Sequence, residues 1–153
     1  VAKNAFAQAF LQEKAEIRKF YLAICEGIVE KDEFFIERPI GRVGDNIKRE
    51  ELSVENGGQE AKTKVKVIER FPEKNLTLVE LELFTGRTHQ IRVHLSLEGH
   101  PILGDHLYGK ENPDIKRQLL HSYKFIYTDI DTPEQKIIEI GLPDDMKNII
   151  GVK

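Results

Sequence analysis

The sequence predicts an α+β fold, with a mixed, largely antiparallel sheet and a few flanking helices. Two observations predict it. Segments with strand-like patterns follow one another through short turns, as residues 61–67 and 76–83 do, and they rarely alternate with helical segments. Helical spacing of apolar residues is confined to a few segments. No linker-like composition divides the 153 residues, which predicts a single domain over residues 1–153.

The composition restricts the class of protein. Hydrophobic residues make up 40% of the chain and charged residues 32%, as in soluble globular proteins. A net charge of −3 argues against indiscriminate coating of nucleic acid but allows a local basic patch. The single cysteine, Cys25, excludes an internal disulfide and fits a reducing compartment. No apolar run approaches the length of a membrane span, and we expect a cytoplasmic protein.

The N-terminal segment is predicted to form a helix followed by a buried strand. Asn4 can cap a helix in which Phe6, Phe10 and Ile17 fall at helical spacing and form a buried stripe. Residues 20–25 are apolar at successive positions, which is typical of a central strand covered on both faces.

A less regular segment comes next. Residues 30–60 are acidic and contain several glycines, so we expect short edge strands and a long, mobile loop. Over residues 61–67 apolar residues alternate with lysines, which predicts a half-exposed strand with a lysine face. Such a face could follow a phosphate backbone, although a solvated sheet surface is the commoner explanation. A turn then leads to the hairpin partner, residues 76–83.

The C-terminal part is predicted to return to the sheet. Residues 119–127 and 136–140 have strand patterns, with a turn at residues 131–133 between them. A proline and two aspartates then open a short final helix over residues 143–150.

A strand-to-helix transition lies at the centre of the chain. Thr85 and Gly86 end the strand, Thr88 can cap a helix over residues 89–98, and Gly99 is well placed to end that helix. A strand that ends in glycine and opens a helix presents free backbone N–H groups and a positive dipole end.

Two arginines make this transition a candidate anion site. Arg87 precedes the helix, and Arg92 lies inside it, about one turn from Thr88 and His89, so that they share a face. Guanidinium groups beside free N–H groups suit phosphate. From spacing alone, surface arginines that solvate a helix are an equally good explanation.

The histidines of this region raise the hypothesis of a metal-dependent hydrolase. They are His89, His94, His100 and His106. The first two do not have the i, i+4 spacing of a helical zinc pair, and no cysteine accompanies them. We therefore predict no metal site and keep a histidine-based metal hydrolase as the weaker alternative. Asp105 could be a general base, but its G-D-x-x-Y-G context favours a turn aspartate that accepts backbone N–H groups.

Long sequence patterns occur at four places. They are K-F-Y-L-A at residues 19–23, T-G-R-T-H-Q-I-R-V-H-L at 85–95, G-H-P-I with G-D-H-L-Y-G within 99–109, and L-L-H-S at 119–122. Together they resemble the signature of the RluA-type RNA pseudouridine synthases over nearly the whole chain. The resemblance implies part of that family's catalytic domain. It also implies isomerisation of uridine in ribosomal or transfer RNA, without cofactor or metal.

The resemblance also implies roles for individual residues. Tyr21 matches the family's active-site tyrosine, which stacks on the flipped uracil, and Arg92 matches the arginine that pairs with the catalytic aspartate. Arg87, Thr88 and His89 correspond to positions expected to contact RNA. Without the resemblance, a core tyrosine with a satisfied hydroxyl would be the preferred explanation of Tyr21.

One motif of the family is absent from this sequence. The family's catalytic aspartate lies in H-R-L-D-x-x-T-S-G-L, whereas V-A-K-N at residues 1–4 resembles the segment that follows it. We therefore expect the motif to precede Val1, the chain alone to be inactive, and Arg92 to lack its carboxylate partner. The main alternative is a non-catalytic RNA-binding fragment. RNA is the expected partner, no membrane is expected, and the full-length protein should be a monomer.

Overall fold

The computed structural model describes residues 15–129 and 134–151, which form two sheets and two helices. The strands are β1 (Ala15–Glu26), β2 (Glu33–Glu37), β3 (Ile40–Arg42), β4 (Arg49–Glu51), β5 (Lys62–Phe71), β6 (Leu76–Leu83), β7 (Leu120–Asp129) and β8 (Gln135–Glu139). The helices are α1 (Gln90–Leu97) and α2 (Asp144–Ile150), with a short 3-10 turn at Val54–Asn56.

The main sheet has six strands in the order β2-β5-β6-β1-β7-β8. Each of its pairings is antiparallel, and β3 pairs with β4 in a separate two-stranded sheet. The predicted α+β fold with a largely antiparallel sheet is therefore confirmed.

Strand β1 lies at the centre of the sheet and is covered on both faces. Ala23 and Cys25 pack in one cluster with Leu95 of α1, whereas Ile24 packs in another with Met146 of α2. All five side chains are fully buried. Because successive side chains of a strand point to opposite faces, this arrangement explains why the strand is apolar at successive positions.

The predicted N-terminal helix is wrong where the structure can test it. Residues 15–17 belong to β1, and Ile17 is paired with Tyr127 of β7. The ladder with β7 supplies partners for the backbone of this segment, and these tertiary contacts override its helical spacing. Residues 4–14 of the predicted helix lie outside the described residues, as does the predicted turn at 131–133.

The segment between β1 and β5 is more regular than predicted. The expected short strands are confirmed, with β2 at the edge of the main sheet and β3 and β4 forming the second sheet. The expected lysine face on β5 is paired with carboxylates of β2. Lys64 Nζ lies 2.8 Å from Glu33 and Lys62 Nζ lies 3.7 Å from Glu37. Two of the three lysines of this face are thus ion-paired at the edge of the sheet.

The ends of the helices follow local chemistry. Beyond α1, Gly99 takes φ +84°, and the N–H groups of Gly99 and His100 donate to the carbonyls of Ser96 and Leu95. That Schellman arrangement confirms that Gly99 ends the helix. The final helix is also confirmed, and Lys74 Nζ donates to the Ile149 carbonyl at its C-terminal end. Neither helix in the described part of the chain is long and apolar enough to cross a bilayer.

We predict that the sheet depends on α2 to cover its second face. Met146→Ala should lower the free energy of unfolding by about 2–5 kcal/mol, because the side chain is fully buried and its removal leaves a cavity. Asn148→Ala, an exposed position on the same helix, should change it by less than about 0.5 kcal/mol. Urea denaturation measures both. Equal losses in the two variants would show that α2 does not close the core.

Candidate functional site

A single buried glutamine fixes the transition from β6 to α1. Gln90 Oε1 accepts hydrogen bonds from Thr85 Oγ1 at 2.7 Å and from the backbone N–H of Arg87 at 3.0 Å. Its Nε2 donates to the Lys62 carbonyl at 3.0 Å and to Thr63 Oγ1 at 2.9 Å. The amide oxygen thus binds the turn and the amide nitrogen binds β5, so that one side chain joins the two with all its hydrogen-bonding groups satisfied.

A buried histidine continues this network from the next turn of α1. His94 Nε2 lies 2.9 Å from the Arg38 carbonyl, and Nδ1 lies 2.8 Å from Thr63 Oγ1. A carbonyl can only accept, so Nε2 carries the proton and Nδ1 accepts from the hydroxyl. Burial lowers the pKa of His94, which keeps the imidazole neutral. The chain Gln90–Thr63–His94 therefore locks the orientation of α1.

The strongest polar contact of the site joins α1 to the turn that follows it. Arg92 Nε and Nη2 each donate to a carboxylate oxygen of Asp105 at 2.8 Å. Asp105 is fully buried, and its Oδ1 also accepts from the N–H groups of Leu107 and Tyr108. Burial alone would raise the pKa of Asp105, but the hydrogen bonds from Arg92 and Tyr108 outweigh it and hold the pKa below its usual value.

Arg92 therefore has a carboxylate partner, Asp105, that was not predicted from the sequence, whereas its pairing with the family's catalytic aspartate stays a prediction. Asp105 occupies two of its three guanidinium nitrogens, which leaves Nη1 for another group. The guanidinium also lies over the ring of Tyr108, 5.1 Å from its centroid. The interpretation of Asp105 as a turn aspartate is confirmed, but the turn serves at the same time to hold Arg92.

The N-terminal end of α1 is built on His89 instead of Thr88. His89 is the N-cap residue with φ +58°, so the prediction that Thr88 caps the helix is wrong. His89 Nδ1 lies 2.8 Å from Tyr108 Oη, and that oxygen accepts from the backbone N–H of Arg49 at 2.7 Å. This hydrogen bond between His89 and Tyr108 joins the start of α1 to the turn of Asp105, at a residue with an uncommon backbone conformation.

Tyr21 lies on the same face of the main sheet as α1. Its half-buried ring packs against the cluster that contains Ile91 and Leu95. Burial raises the pKa of the Tyr21 phenol, and a hydrogen bond with Ser122 partly offsets that rise. The phenol is therefore protonated at neutral pH.

The other two candidates lie at the surface beside the start of α1. Arg87 Nε donates to the Glu60 carbonyl at 2.8 Å. Arg87 and Thr88 line a cavity of about 290 Å³, together with Arg42 and Arg49 of the two-stranded sheet. Arg92 does not line this cavity and is bound to Asp105, and the anion site stays a prediction.

Most histidines of this region have protein partners. His89 and His94 are bound as described above, and His100 Nδ1 lies 3.0 Å from the Glu26 carbonyl. Among residues 15–129 and 134–151, no three histidine, cysteine or acidic side chains are grouped to hold a metal ion. The expectation of no metal site stays a prediction.

Sequence reasoning missed three residues that organise the site: Gln90, Tyr108 and Arg49. Tyr108 could have been found, because it is the tyrosine of the G-D-x-x-Y-G pattern and lies in the turn of Asp105. Gln90 lies inside the central pattern, but nothing in the sequence shows that it is buried. The contact of Arg49 with Tyr108 joins distant segments and leaves no sequence signal.

Comparison with known proteins identifies the family. Residues 1–97 match the family model described as RNA pseudouridylate synthase. The chain belongs to this family. The matched range includes Tyr21, Arg87, Thr88, His89 and Arg92, and it ends at Leu97, the last residue of α1.

The curated proteins that are similar in sequence are also named as pseudouridine synthases. The chain is 43% identical over 151 residues to the uncharacterized RNA pseudouridine synthase YhcT of Bacillus subtilis (strain 168), covering 97% of this chain and 49% of that protein. It is 37% identical over 162 residues to the ribosomal large subunit pseudouridine synthase D of Nitrosomonas europaea, covering 98% and 46%. The chain thus spans about half the length of these relatives.

Solved structures agree on the fold. The human RNA pseudouridylate synthase domain containing 1 superposes with a TM-score of 0.70 at 24% identity, covering 99% of this chain and 63% of that one. The human RNA pseudouridylate synthase domain containing 4 gives a TM-score of 0.71 at 23% identity, covering 99% and 67%. The predicted pseudouridine synthase-like fold is confirmed.

We predict that the site depends on the Arg92–Asp105 pair for stability. Asp105→Asn should lower the free energy of unfolding by about 3 kcal/mol or more, because it removes one partner of a largely buried ion pair. Asp145→Asn is the matched control, since it breaks the pair between Asp145 and Arg117. The side chains of these two residues are 48% and 42% exposed, respectively. That change should cost about 1 kcal/mol or less. Urea denaturation measures the free energy of unfolding of both variants. A smaller loss for Asp105→Asn than for Asp145→Asn would contradict the structural importance of the Arg92–Asp105 pair.

Proposed function

We propose that the protein is an RNA pseudouridine synthase that isomerises uridine to pseudouridine in ribosomal or transfer RNA. The observation that carries the proposal is the family match over residues 1–97, which includes every candidate site residue. The name of one relative, ribosomal large subunit pseudouridine synthase D, supports ribosomal RNA as a substrate class.

In the proposed reaction, the protein must bind a uracil that no longer stacks on its neighbouring bases in the RNA. The glycosidic C–N bond breaks, the uracil turns, and a ring carbon forms a C–C bond with the ribose; that carbon then loses its proton, and the released ring nitrogen gains one. An aromatic face beside the base replaces part of the stacking that is lost when the base leaves the strand. Tyr21 presents such a ring on the α1 face of the sheet. Because its raised pKa keeps the phenol protonated, we assign the hydroxyl to hydrogen bonding with the uracil instead of acting as a preformed phenolate.

Arg92 is proposed to orient a catalytic carboxylate. The bidentate bond with Asp105 fixes the plane of the guanidinium and leaves Nη1 for a second acceptor. A guanidinium suits this task because it stays charged and presents its N–H donors in a rigid planar fork. The aspartate of the H-R-L-D motif, which the family uses as nucleophile, is the second carboxylate that this arrangement fits.

The RNA strand is proposed to contact the start of α1. Arg87, Thr88 and His89 lie there, with Arg87 and Thr88 on the wall of the 290 Å³ cavity. The reaction requires no cofactor or metal ion. We propose that the protein works as a monomer in the cytoplasm, with RNA as its partner.

We predict that the hydroxyl of Tyr21 is needed for turnover. Tyr21→Phe keeps the ring but removes the hydroxyl, and should reduce pseudouridine formation by about 100-fold or more. Its affinity for RNA should change little, because many phosphate contacts share that free energy. The test incubates ribosomal and transfer RNA transcripts with the full-length protein that contains this sequence and measures the pseudouridine formed.

Tyr127→Phe is the control, because Tyr127 is another buried tyrosine of the main sheet. It should retain most of the activity. Normal turnover in Tyr21→Phe would remove the hydroxyl from the reaction. RNA binding without any pseudouridine formation by the unmodified protein would instead favour the non-catalytic RNA-binding alternative.

A further inference from the structure

The arginines of the chain fall into two groups. All eight lie in the described part, and five form ion pairs: Arg18 with Glu82, Arg38 with Glu51 and Glu98, Arg70 with Asp32, Arg92 with Asp105, and Arg117 with Asp145. Among the residues that the structure describes, Arg42, Arg49 and Arg87 have no carboxylate partner within ion-pair distance. These three are the arginines that line the 290 Å³ cavity, which we call the arginine cavity.

Composition does not explain this concentration of unpaired positive charge. The chain has 26 acidic and 23 basic residues, so carboxylates are in excess. No acidic side chain from the described ranges lines the arginine cavity, although Asp45, Glu50 and Glu60 lie close to it in sequence. The larger cavity, of about 580 Å³, differs in this respect, because Glu26 and Asp114 line it together with two lysines.

The backbone brings two of these charges together. Arg42 and Arg49 are direct partners in the β3–β4 ladder, an arrangement that is destabilising for like charges. Each guanidinium donates a hydrogen bond to a backbone carbonyl. Arg42 donates to the carbonyl of Asp45 at 3.3 Å, Arg49 to that of Ile47 at 2.8 Å, and Arg87 to that of Glu60 at 2.8 Å. A carbonyl orients a guanidinium without neutralising it. An anion in the cavity would neutralise the charge and remove the repulsion.

We propose that the arginine cavity binds a phosphodiester group of the RNA strand whose uridine enters the site. Guanidinium groups match the oxygens of a phosphate through paired N–H donors, which explains why three arginines surround one small cavity. This inference rests on the proposed function, because it takes the RNA substrate from there.

Two contacts connect the arginine cavity to the site. The backbone N–H of Arg49 donates to Tyr108 Oη, whose ring lies under Arg92. Arg87 is bound through its own N–H to Gln90 at the start of α1. The bound phosphate therefore belongs to a nucleotide close to the target uridine, and its binding would position the strand relative to α1.

The test uses the full-length protein that contains this sequence and measures its affinity for RNA as a function of salt concentration. Arg42→Gln and Arg87→Gln should each weaken binding of a uridine-containing RNA by about tenfold. The double substitution should lower the slope of log K against log salt by about 0.7, the value for one phosphate contact on a single strand, and each single substitution should lower it by a part of that value. Arg117→Gln, which removes the same charge from an exposed arginine outside the cavity, should change neither quantity appreciably.

Thermal unfolding provides a readout without RNA. At low salt, Arg42→Gln should melt at or above the temperature of the unmodified protein, because it relieves the cross-strand repulsion. Inorganic phosphate should raise the melting temperature of the unmodified protein more than that of the variant. A variant that melts lower and responds equally to phosphate would indicate a structural role for Arg42 and overturn the proposal.

The outcomes separate this proposal from the proposed function. Pseudouridine formation with unchanged affinity and salt slope in both cavity variants would overturn the arginine cavity and leave the enzyme assignment intact. Phosphate-dependent stabilisation without any effect on RNA affinity would establish an anion site but overturn its assignment to RNA. Loss of affinity in both cavity variants, in a protein that forms no pseudouridine, would support the cavity and overturn the enzyme assignment.

Discussion

The bidentate ion pair between Arg92 and Asp105 is the interaction on which the geometry of the site depends. Asp105 is fully buried, and the two bonds from Arg92 and the N–H groups of its own turn offset the cost of burying its charge. The same turn carries Tyr108, which binds His89 at the start of α1 and the backbone of Arg49. One ion pair thus connects the helix, the following turn and the β3–β4 sheet.

The main sheet gives this assembly a fixed support. Strand β1 is buried on both faces, so the face towards α1 can carry Tyr21 while α2 closes the other. Gln90 and His94 then join α1 to β5 through Thr63, with each polar atom of the two side chains bonded. Polar groups that are buried and fully bonded favour one arrangement of the helix over others, because any shift would leave some of them unpaired.

The sequence predicted those parts of the molecule whose signal is local. Hairpin patterns predicted the antiparallel sheet, and Gly99 predicted the end of α1. Prediction failed where distant contacts decide. Ile17 has helical spacing but pairs with β7. Thr88 has the chemistry of a cap, but the N-cap residue is His89, which is hydrogen-bonded to Tyr108. The arginine cavity had no local signal, because its arginines come from β3, β4 and the turn before α1.

We propose that RNA lies on the α1 face of the main sheet, and a crystal structure of the protein with a uridine-containing RNA tests this proposal most directly. We expect a base against the ring of Tyr21 and a phosphate between Arg42, Arg49 and Arg87. RNA bound on the α2 face, or in the 580 Å³ cavity lined by Lys74 and Lys110, would contradict it.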